Sequence, residues 1–484
     1  MKNENLYAAF KAKDTRFDGR FFVGIKSTGI YCRPVCRAKQ AHAKNCTFYP
    51  TAAAAERAGF RPCLLCRPEL APGLATTDAS ASLSRRAAKL LEENCGSGQS
   101  LEVLAGQLGC TGRHLRRVFA SEYQVSPVQY LQTCRLLLAK SLLTDTNLSV
   151  LDVALAAGFG SLRRFNDLFR AHYHLSPTAL RKKAPEARVQ CNSITLFLGY
   201  RPPYPFSEVL RFLSGRLISG VELIRDEAYW RTVRLSDVRG RPVSGWLCVH
   251  HSPQKNALRV TLGETLLPIL PQVLARVRHL FDLSCDPDAV FETLAEMNTL
   301  RLGLCVPGTR LPGCFDTFEM ATRAVLGQQI TVKAAGTLAG RLVAAYGTPV
   351  QTGIPELTHT FPTPQDILTL DGSIESHLGP LGIIAARARA IFKLAEALES
   401  GQLDLAHCAD PEAEMEKLLL LPGIGRWTAS YIAMRAMGWP DAFPETDVAI
   451  KKALSPRTPK EMLALSEAWR PWRSYATINL WNSL

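Results

Sequence analysis

Two close pairs of cysteines near the N-terminus constrain the fold of this chain more than any other sequence feature. Three residues separate Cys32 from Cys36, two separate Cys63 from Cys66, and 26 lie between the pairs. A segment this short has little apolar core of its own, and two neighbouring pairs can place four thiolates tetrahedrally around a metal. The spacing therefore predicts a small α+β domain over residues 1–75 that one zinc ion stabilises.

Positive charge is concentrated in the first two-fifths of the chain. The formal net charge is +14, and residues 1–190 contain 28 lysines and arginines against 14 acidic residues. Residues 191–484 contain 29 of each. A basic excess attracts polyanions, most commonly nucleic acid, although charge alone also fits a basic protein without such a partner. Because 484 residues are too many for one hydrophobic core, we expect three or four domains.

The sequence carries no membrane or secretion signal. No apolar stretch is long enough to span a bilayer, and the N-terminus lacks an apolar signal core. We therefore expect a cytoplasmic protein with no membrane partner. In a reducing compartment, clustered cysteines are metal ligands or reactive thiols rather than disulfides.

A 50-residue repeat follows a linker that the composition predicts over Ala71 to Ser84. An aromatic pair and a Ser-Pro step recur in it: Phe119, Tyr123 and Ser126-Pro127 return as Phe169, Tyr173 and Ser176-Pro177. Apolar residues at three- and four-residue spacing predict helices throughout this segment, up to about residue 181.

Each repeat predicts a helix, a tight glycine turn and a second helix, over residues 101–122 and 150–171. The second helix is polar and rich in arginine, which suits the major groove of DNA. The side chains available to bases or phosphates are Arg113, His114, Arg116, Arg117, Arg163, Arg164, Asn166 and Arg170. We predict an all-α double helix-turn-helix domain over residues 82–185, the alternative being a helical bundle whose arginines are only solvated.

The sequence pattern changes after residue 191. Short β-like runs over 194–198, 247–249 and 257–260 accompany a helical stretch near residues 206–217. These runs predict an α+β domain over residues 192–300. The remainder, residues 301–484, predicts an all-α domain, so the fold class is a multidomain, mainly helical protein.

A helix, a tight glycine hairpin and a second helix are predicted around residues 418–429. Gly423 and Gly425 permit close backbone approach, and exposed amides at the start of the second helix can bind phosphate. Asp447 follows in the run Pro-Glu-Thr-Asp-Val. In isolation, the hairpin indicates DNA binding only, and the aspartate fits a helix N-cap equally well.

Residues 22–37 (FVGIKSTGIYCRPVCR) and 59–66 (GFRPCLLC) resemble the N-terminal domain of the Ada adaptive-response proteins. The resemblance implies that Cys32 accepts a methyl group from a methylated DNA phosphate and that all four cysteines bind zinc. Arg33 and Arg37 flank the first pair, where we expect them to attract phosphate. A purely structural zinc module is the alternative. The double repeat with its Ser-Pro steps resembles the AraC-type regulator domain.

Residues 194–484 resemble the AlkA-type alkylated-base glycosylases of the helix-hairpin-helix superfamily. The motifs that carry the resemblance are LPGC at 311–314, AVLGQQ at 324–329, the hairpin, and RPWRSYA at 470–476. It implies a TBP-like fold for the α+β domain and a catalytic role for Asp447. It also implies DNA contacts from Gln328, Gln329, Gly423, Gly425 and Arg426, and a base pocket lined by Trp427, Tyr431 and Trp481. A monovalent cation is expected at the hairpin backbone.

The resemblance implies a specific chemistry. The Asp447 carboxylate would stabilise an oxocarbenium-like sugar as the glycosidic bond breaks. Lyase members of the superfamily have lysine where this chain has Trp427, so no Schiff base is expected. Aromatic faces attract the positive charge of purines alkylated at N3 or N7, although Trp427 and Tyr431 at i,i+4 also fit a core pair. Gln329 stands where AlkA-type enzymes insert a leucine into the duplex.

The sequence predicts a bifunctional alkylation-damage response protein: a methylphosphotriester-sensing transcriptional regulator fused to a monofunctional glycosylase that excises bases such as 3-methyladenine. The alternative is a regulator whose C-terminal half binds DNA without catalysis. The expected partners are damaged and promoter double-stranded DNA and RNA polymerase, and we expect a monomer.

Overall fold

The protein is described by a computed structural model that is about 52% helical with some sheet. It describes residues 3–14, 17, 21–49, 54–55, 58–63, 65–66, 76–96, 100–123, 125–183, 193–237, 239–408 and 410–484. The chain divides into two compact units, Met1–Lys89 with Ser100–Tyr130 and Leu90–Gln99 with Leu131–Leu484. The predicted multidomain, mainly helical fold class is confirmed.

The first unit contains a four-stranded sheet. Its strands, in spatial order, are Cys46–Tyr49, Phe22–Ile25, Ile30–Cys32 and Arg61–Pro62. A tight turn joins the two central strands, and Gly29 has a positive φ of 65° there. The last strand pairs in parallel with its neighbour, and the others pair antiparallel. The sheet therefore brings both cysteine pairs to one end of a very small core.

The helices within residues 3–183 follow the predicted pattern. Their bounds are Asn3–Ala12, Thr76–Glu93, Leu101–Gln107, Gly112–Tyr123, Pro127–Asp145, Val150–Ala156, Leu162–Tyr173 and Pro177–Lys183. The repeat is structural, since Phe119 stacks on Tyr123 with ring centroids 4.5 Å apart and Phe169 contacts Tyr173 at 4.7 Å.

The predicted linker is partly wrong. Residues 71–75 lie outside the described residues, but Thr76–Glu93 forms a continuous helix. The reason is that this stretch contains no proline or glycine after Gly73, and its C-terminal half presents Ala87, Leu90 and Leu91 to a core. Burial of those side chains stabilises a helix whose alanine- and serine-rich start resembles a linker in composition.

The second unit contains a five-stranded antiparallel sheet. Its strands, in spatial order, are Ser193–Gly199, Ala257–Gly263, Pro242–Ser252, Ala228–Ser236 and Glu222–Arg225. The three predicted β-like runs all fall inside these strands, and the predicted helix is Phe206–Ser214. Alternate residues such as Ile194, Leu196 and Leu198 are buried against the helices.

Residues 270–484 of the second unit are mainly helical and include a short ribbon, Thr348–Pro349 paired with His359–Thr360. The helices are Leu270–Leu280, Pro287–Leu294, Thr317–Leu326, Val332–Tyr346, Pro364–Leu368, Ile374–Leu378, Ala385–Glu399, Pro411–Leu419, Arg426–Arg435, Val448–Ala453, Pro459–Ser466 and Arg473–Asn482. None of the helices in the described ranges has both the length and the apolar character needed to cross a membrane.

A buried ion network joins the five-stranded sheet to the helix Thr317–Leu326. Arg231 Nη2 lies 2.7 Å from Glu319 Oε2, and Arg323 Nη1 lies 3.1 Å from Glu222 Oε2 and 3.0 Å from Glu319 Oε1. Burial acts against the charge of Arg231, but Glu319 and Glu222 outweigh it and raise the pKa of Arg231 above its ordinary value. Each charge is therefore compensated, and removal of one partner would leave an uncompensated charge in the interior.

We expect Arg231→Met to lower the free energy of unfolding of this unit by about 3–5 kcal/mol, because it leaves Glu319 short of a partner. All seven tryptophans lie in the second unit, so tryptophan fluorescence during urea unfolding reports on it selectively. The matched control is Glu208→Gln, which breaks an exposed pair with Arg211 and should change stability by less than about 1 kcal/mol. Equal effects of the two variants would contradict a structural role for the network.

Candidate functional site

The two cysteine pairs meet in the first unit. The sulfur atoms of Cys32, Cys36, Cys63 and Cys66 all lie within 4.8 Å of one another, and all four residues are buried. Cys32 ends a strand, and the backbone N–H of Cys63 donates to Tyr31 O at 3.0 Å, which fixes the second pair beside the first. Four converging thiols form the donor set and the size of site that zinc requires.

Hydrogen bonds from Cys32 and Cys66 lower the pKa of Cys36, and the corresponding bond raises the pKa of Cys32. Four thiolates at this spacing would repel one another strongly without a cation. The residues therefore fit a bound zinc ion, which would supply the positive charge that lets all four ionise.

The two arginines beside the first cysteine pair occupy different environments. Arg33 is fully buried, and its backbone N–H donates to Cys66 Sγ at 3.4 Å. Arg33 thus lies in the turn that the hydrogen bond from Cys36 N to Arg33 O closes, and its contact with phosphate stays a prediction. Arg37 is exposed and forms an ion pair with Glu122 of the first unit.

The candidate recognition helices present the predicted side chains to solvent. In Gly112–Tyr123, the residues Leu115, Val118 and Phe119 are buried, whereas the four basic positions Arg113, His114, Arg116 and Arg117 are exposed. In Leu162–Tyr173, Phe165 and Phe169 are buried, Arg163, Arg164 and Arg170 are exposed, and Asn166 is half-buried. Arg116 also pairs with Glu102 at 2.6 Å.

Asp447 lies in a cleft of the second unit beside the glycine hairpin. Its Oδ1 accepts the backbone N–H groups of Ala449 at 2.9 Å and Ile450 at 3.1 Å, so it is the N-cap of Val448–Ala453. Trp427 Nε1 donates to Oδ2 at 2.8 Å, and Trp481 Nε1 donates to Oδ1 at 3.0 Å. The aspartate is therefore a cap that also faces the cleft, and four N–H groups stabilise its negative charge.

Aromatic rings form one wall of the cleft. Trp427 stacks on Tyr431 with centroids 5.3 Å apart, and Tyr431 lies 6.0 Å from Trp481. Phe212 stacks on the other side of Trp481 at 6.2 Å. Flat faces at this spacing can hold a planar base by stacking, and a charged base by cation–π attraction.

The hairpin and the two glutamines adjoin the same cleft. Gly423 has a φ of 83°, Gly425 begins the helix Arg426–Arg435, and both glycines and Arg426 are exposed. Gln328 Nε2 donates to Gly423 O at 2.8 Å and to Thr428 Oγ1 at 3.0 Å, so the side chain predicted to contact DNA braces the hairpin. Gln329 is exposed with a left-handed φ of 54°.

Four family models match most of the chain. The matching family models are "Metal binding domain of Ada" at residues 5–69, "Helix-turn-helix domain" at 104–183, "AlkA N-terminal domain" at 195–316 and "HhH-GPD superfamily base excision DNA repair protein" at 322–469. A Mycobacterium tuberculosis protein, "Probable bifunctional transcriptional activator/DNA repair enzyme AlkA", is 40% identical over 99% of this chain and 96% of its own length. The chain belongs to this family of AlkA-type bifunctional proteins.

Two Escherichia coli proteins match separate parts of this AlkA-type chain. "DNA-3-methyladenine glycosylase 2" is 37% identical over 59% of the chain and 95% of its own length. "Bifunctional transcriptional activator/DNA repair enzyme Ada" is 34% identical over 28% of the chain and 37% of its own length. The family combines an Ada-type regulatory half with an AlkA-type glycosylase half in one polypeptide.

Sequence reasoning missed several residues of the cleft. Arg435 Nη1 donates to the Tyr431 hydroxyl at 2.9 Å, and Arg216 and Arg323 line the same cleft. Arg435 stands four residues after Tyr431, so a same-face signal was present in the sequence. Phe212 and Arg216 come from more than 200 residues upstream, and no local pattern connects them to the hairpin.

We expect Cys63→Ser to remove the bound zinc, because serine is a poor ligand and the remaining three thiols lose the tetrahedral set. Metal analysis of the purified chain should fall from one zinc to almost none. The matched control is Cys46→Ser, a half-buried cysteine of the same sheet that stands outside the cluster. Retention of zinc by Cys63→Ser, or loss from Cys46→Ser, would exclude the four-cysteine site.

Proposed function

We propose that this protein responds to DNA alkylation in two ways: it senses methylphosphotriesters as a transcriptional regulator, and it excises alkylated bases as a monofunctional DNA glycosylase. The single observation that carries the second activity is Asp447, held at the cleft by the indole N–H groups of Trp427 and Trp481. A preorganised carboxylate beside stacking rings is what hydrolysis of an alkylated nucleotide requires.

In the proposed glycosylase reaction, a damaged purine such as 3-methyladenine leaves the helix and stacks against Trp427 and Tyr431. The Asp447 carboxylate faces the sugar and stabilises the positive charge that develops as the glycosidic bond breaks. It also orients the attacking water. Trp427 offers no amine, so the product is a free base and an intact abasic strand.

The hairpin and Gln329 would hold the DNA. Gly423, Gly425 and Arg426 are exposed at the start of a helix, where backbone amides bind phosphate, and the hairpin backbone would hold a monovalent cation. Gln329 is the proposed wedge, because its exposed side chain adjoins the cleft and an amide can hydrogen-bond the orphaned base. The hydrogen bonds of Gln328 would keep the hairpin fixed during binding.

In the proposed regulatory half, the four cysteines would hold zinc, which would keep the Cys32 sulfur ionised, and the Cys32 thiolate attacks the methyl carbon of a phosphotriester. A sulfur–carbon bond forms, the carbon–oxygen bond breaks, and the phosphate leaves as a diester anion. Methylation removes one negative charge near the DNA phosphates, so promoter binding should strengthen. The four cysteines are 0–8% exposed, so exposure does not single out Cys32, whose assignment rests on the resemblance.

The complete proposal assigns four domains: 1–75 for zinc and methyl acceptance, 82–185 for promoter DNA, 192–300 for the TBP-like part, and 301–484 for the glycosylase. The exposed arginines of the two recognition helices would bind the operator, and a monomer would then contact RNA polymerase. A regulator without glycosylase activity is the alternative. The Asp447 contacts and the aromatic wall favour the active enzyme, because DNA binding alone requires neither.

Asp447→Asn should lower the rate of 3-methyladenine release by a factor of several hundred, which corresponds to about 3–4 kcal/mol. The asparagine can still cap the helix but cannot supply the negative charge. Excision from methylated duplex DNA and DNA affinity should be measured together, with affinity almost unchanged. In the wild type, borohydride should trap no covalent complex, and a trapped complex would contradict hydrolysis without a lyase step.

The matched control is Asp410→Asn. Asp410 caps Pro411–Leu419 with the same geometry, accepting the N–H groups of Glu412 at 3.0 Å and Ala413 at 3.2 Å. It does not line the cleft. If both variants lose activity equally, the effect belongs to helix capping and Asp447 has no special role in chemistry.

Incubation of the wild type with methylphosphotriester DNA should add one methyl group, which peptide mapping should locate on Cys32. Cys32→Ser also disturbs zinc, so mapping of the wild-type adduct is the decisive measurement. A methyl group on Cys63, at 8% the most exposed of the four, would contradict the assignment to Cys32. Absence of any adduct on zinc-loaded protein would favour the structural zinc module.

A further inference from the structure

The hydroxyl of Tyr431 lies against two positive charges that no carboxylate balances. Arg435 Nη1 donates to it at 2.9 Å, and the Arg216 side chain, which lines the same cleft, adds a second positive charge nearby. Arg435 otherwise donates to Pro312 O and Gly313 O, and Arg216 donates to Phe212 O. Within the described ranges, neither arginine forms an ion pair with a carboxylate.

The nearby carboxylates are already engaged elsewhere. Glu222 and Glu319 pair with Arg231 and Arg323 in the buried network. Asp447 faces the indole N–H groups and the helix that it caps, rather than the arginines. The groups around the Tyr431 hydroxyl therefore leave an excess of positive charge.

That excess conflicts with binding of a cationic base. A positively charged purine stacked on Trp427 and Tyr431 would approach Arg216, which lines the same cleft. Cation–π attraction to neutral rings is weak enough that repulsion between desolvated charges can cancel it. Of the three aromatic residues that line the cleft, Trp427, Tyr431 and Trp481, Tyr431 is the one that can ionise and place a negative charge beside these arginines.

We propose that Tyr431 selects for charge in the base pocket: its phenolate neutralises the paired arginines and admits a cationic base, whereas the neutral phenol disfavours one. This inference rests on the proposed glycosylase function. The step is loss of the phenol proton to water. Burial acts to raise the pKa of Tyr431, but Arg435, Arg216 and Arg323 outweigh it and lower the pKa to about 8. The phenolate fraction therefore rises with pH through the physiological range.

The first test is an absorbance titration of the full-length, DNA-free chain from about pH 6.5 to about pH 9.5. The difference between wild type and Tyr431→Phe should show one tyrosinate with a midpoint near pH 8. Tyr200→Phe is the control, since burial raises the pKa of Tyr200 and its removal should leave this signal unchanged. Arg216→Gln removes one of the charges and should move the midpoint upward, by about one unit.

The second test compares a charged base with an uncharged one of the same shape. The probes are duplexes containing 3-methyladenine or 3-deaza-3-methyladenine, each with a 2′-fluorinated sugar that resists excision. The ratio of the affinity for the 3-methyladenine duplex to the affinity for the 3-deaza duplex should rise about tenfold with pH in wild type and stay constant in Tyr431→Phe. If the cationic base lowers the pKa of Tyr431 by a further unit when it binds, the phenolate form binds that base about tenfold more tightly than the phenol form.

The outcomes separate this inference from the proposed function. If Tyr431→Phe removes no tyrosinate signal below pH 9.5, or if its affinity ratio follows pH as the wild type does, charge selection by Tyr431 is wrong while glycosylase activity can stand. If neither modified duplex binds better than undamaged DNA, selection fails together with the proposed function, even where the titration detects the phenolate. Unchanged thermal unfolding of Tyr431→Phe confirms that the comparison is made on folded protein.

Discussion

A carboxylate held between two indole N–H groups is the interaction on which the cleft depends. Asp447 caps one helix, while Trp427 and Trp481 come from two others, so the same hydrogen bonds fix three helices around one charge. A partly buried carboxylate without donors would cost several kcal/mol. Four N–H groups replace the lost water, so the geometry that stabilises the fold also keeps a negative charge ready at the cleft.

The buried ion network connects the five-stranded sheet to residues of this cleft. Arg323 contacts Glu222 of the edge strand and Glu319 of its own helix, and it also donates to Arg216 O. Arg216 in turn lies over the Phe212 ring at 3.8 Å, beside Trp481. This series of contacts connects the edge strand to the aromatic wall of the cleft. The α+β domain thus shapes a site whose carboxylate belongs to the helical domain.

The sequence predicted those parts of the fold that depend on local spacing. Three such parts are the cysteine pairs, the repeated Phe-Tyr pairs and the Pro-Gly-Ile-Gly hairpin. Each of these motifs spans only a few positions of the sequence, so its residue types determine its local geometry. Burial and long-range packing were not predictable in this way. Arginine is a common phosphate ligand, but the side chain of Arg33 is buried. Phe212 lies on the buried face of an amphipathic helix, so its sequence position indicates a core residue and nothing more. Only the tertiary fold brings Phe212 to Trp481.

Net charge likewise does not reveal where the fold places individual charges. Residues 191–484 are neutral by composition, which gives no indication that the proposed glycosylase half concentrates charge. The folded unit nevertheless separates charge over short distances: Asp447 accepts the indole N–H of Trp427, whereas Arg435 donates to the hydroxyl of Tyr431, one helical turn further along. The proposed selection of a damaged base by charge depends on this local field, because salt screens the fields of distant charges and screens buried pairs much less.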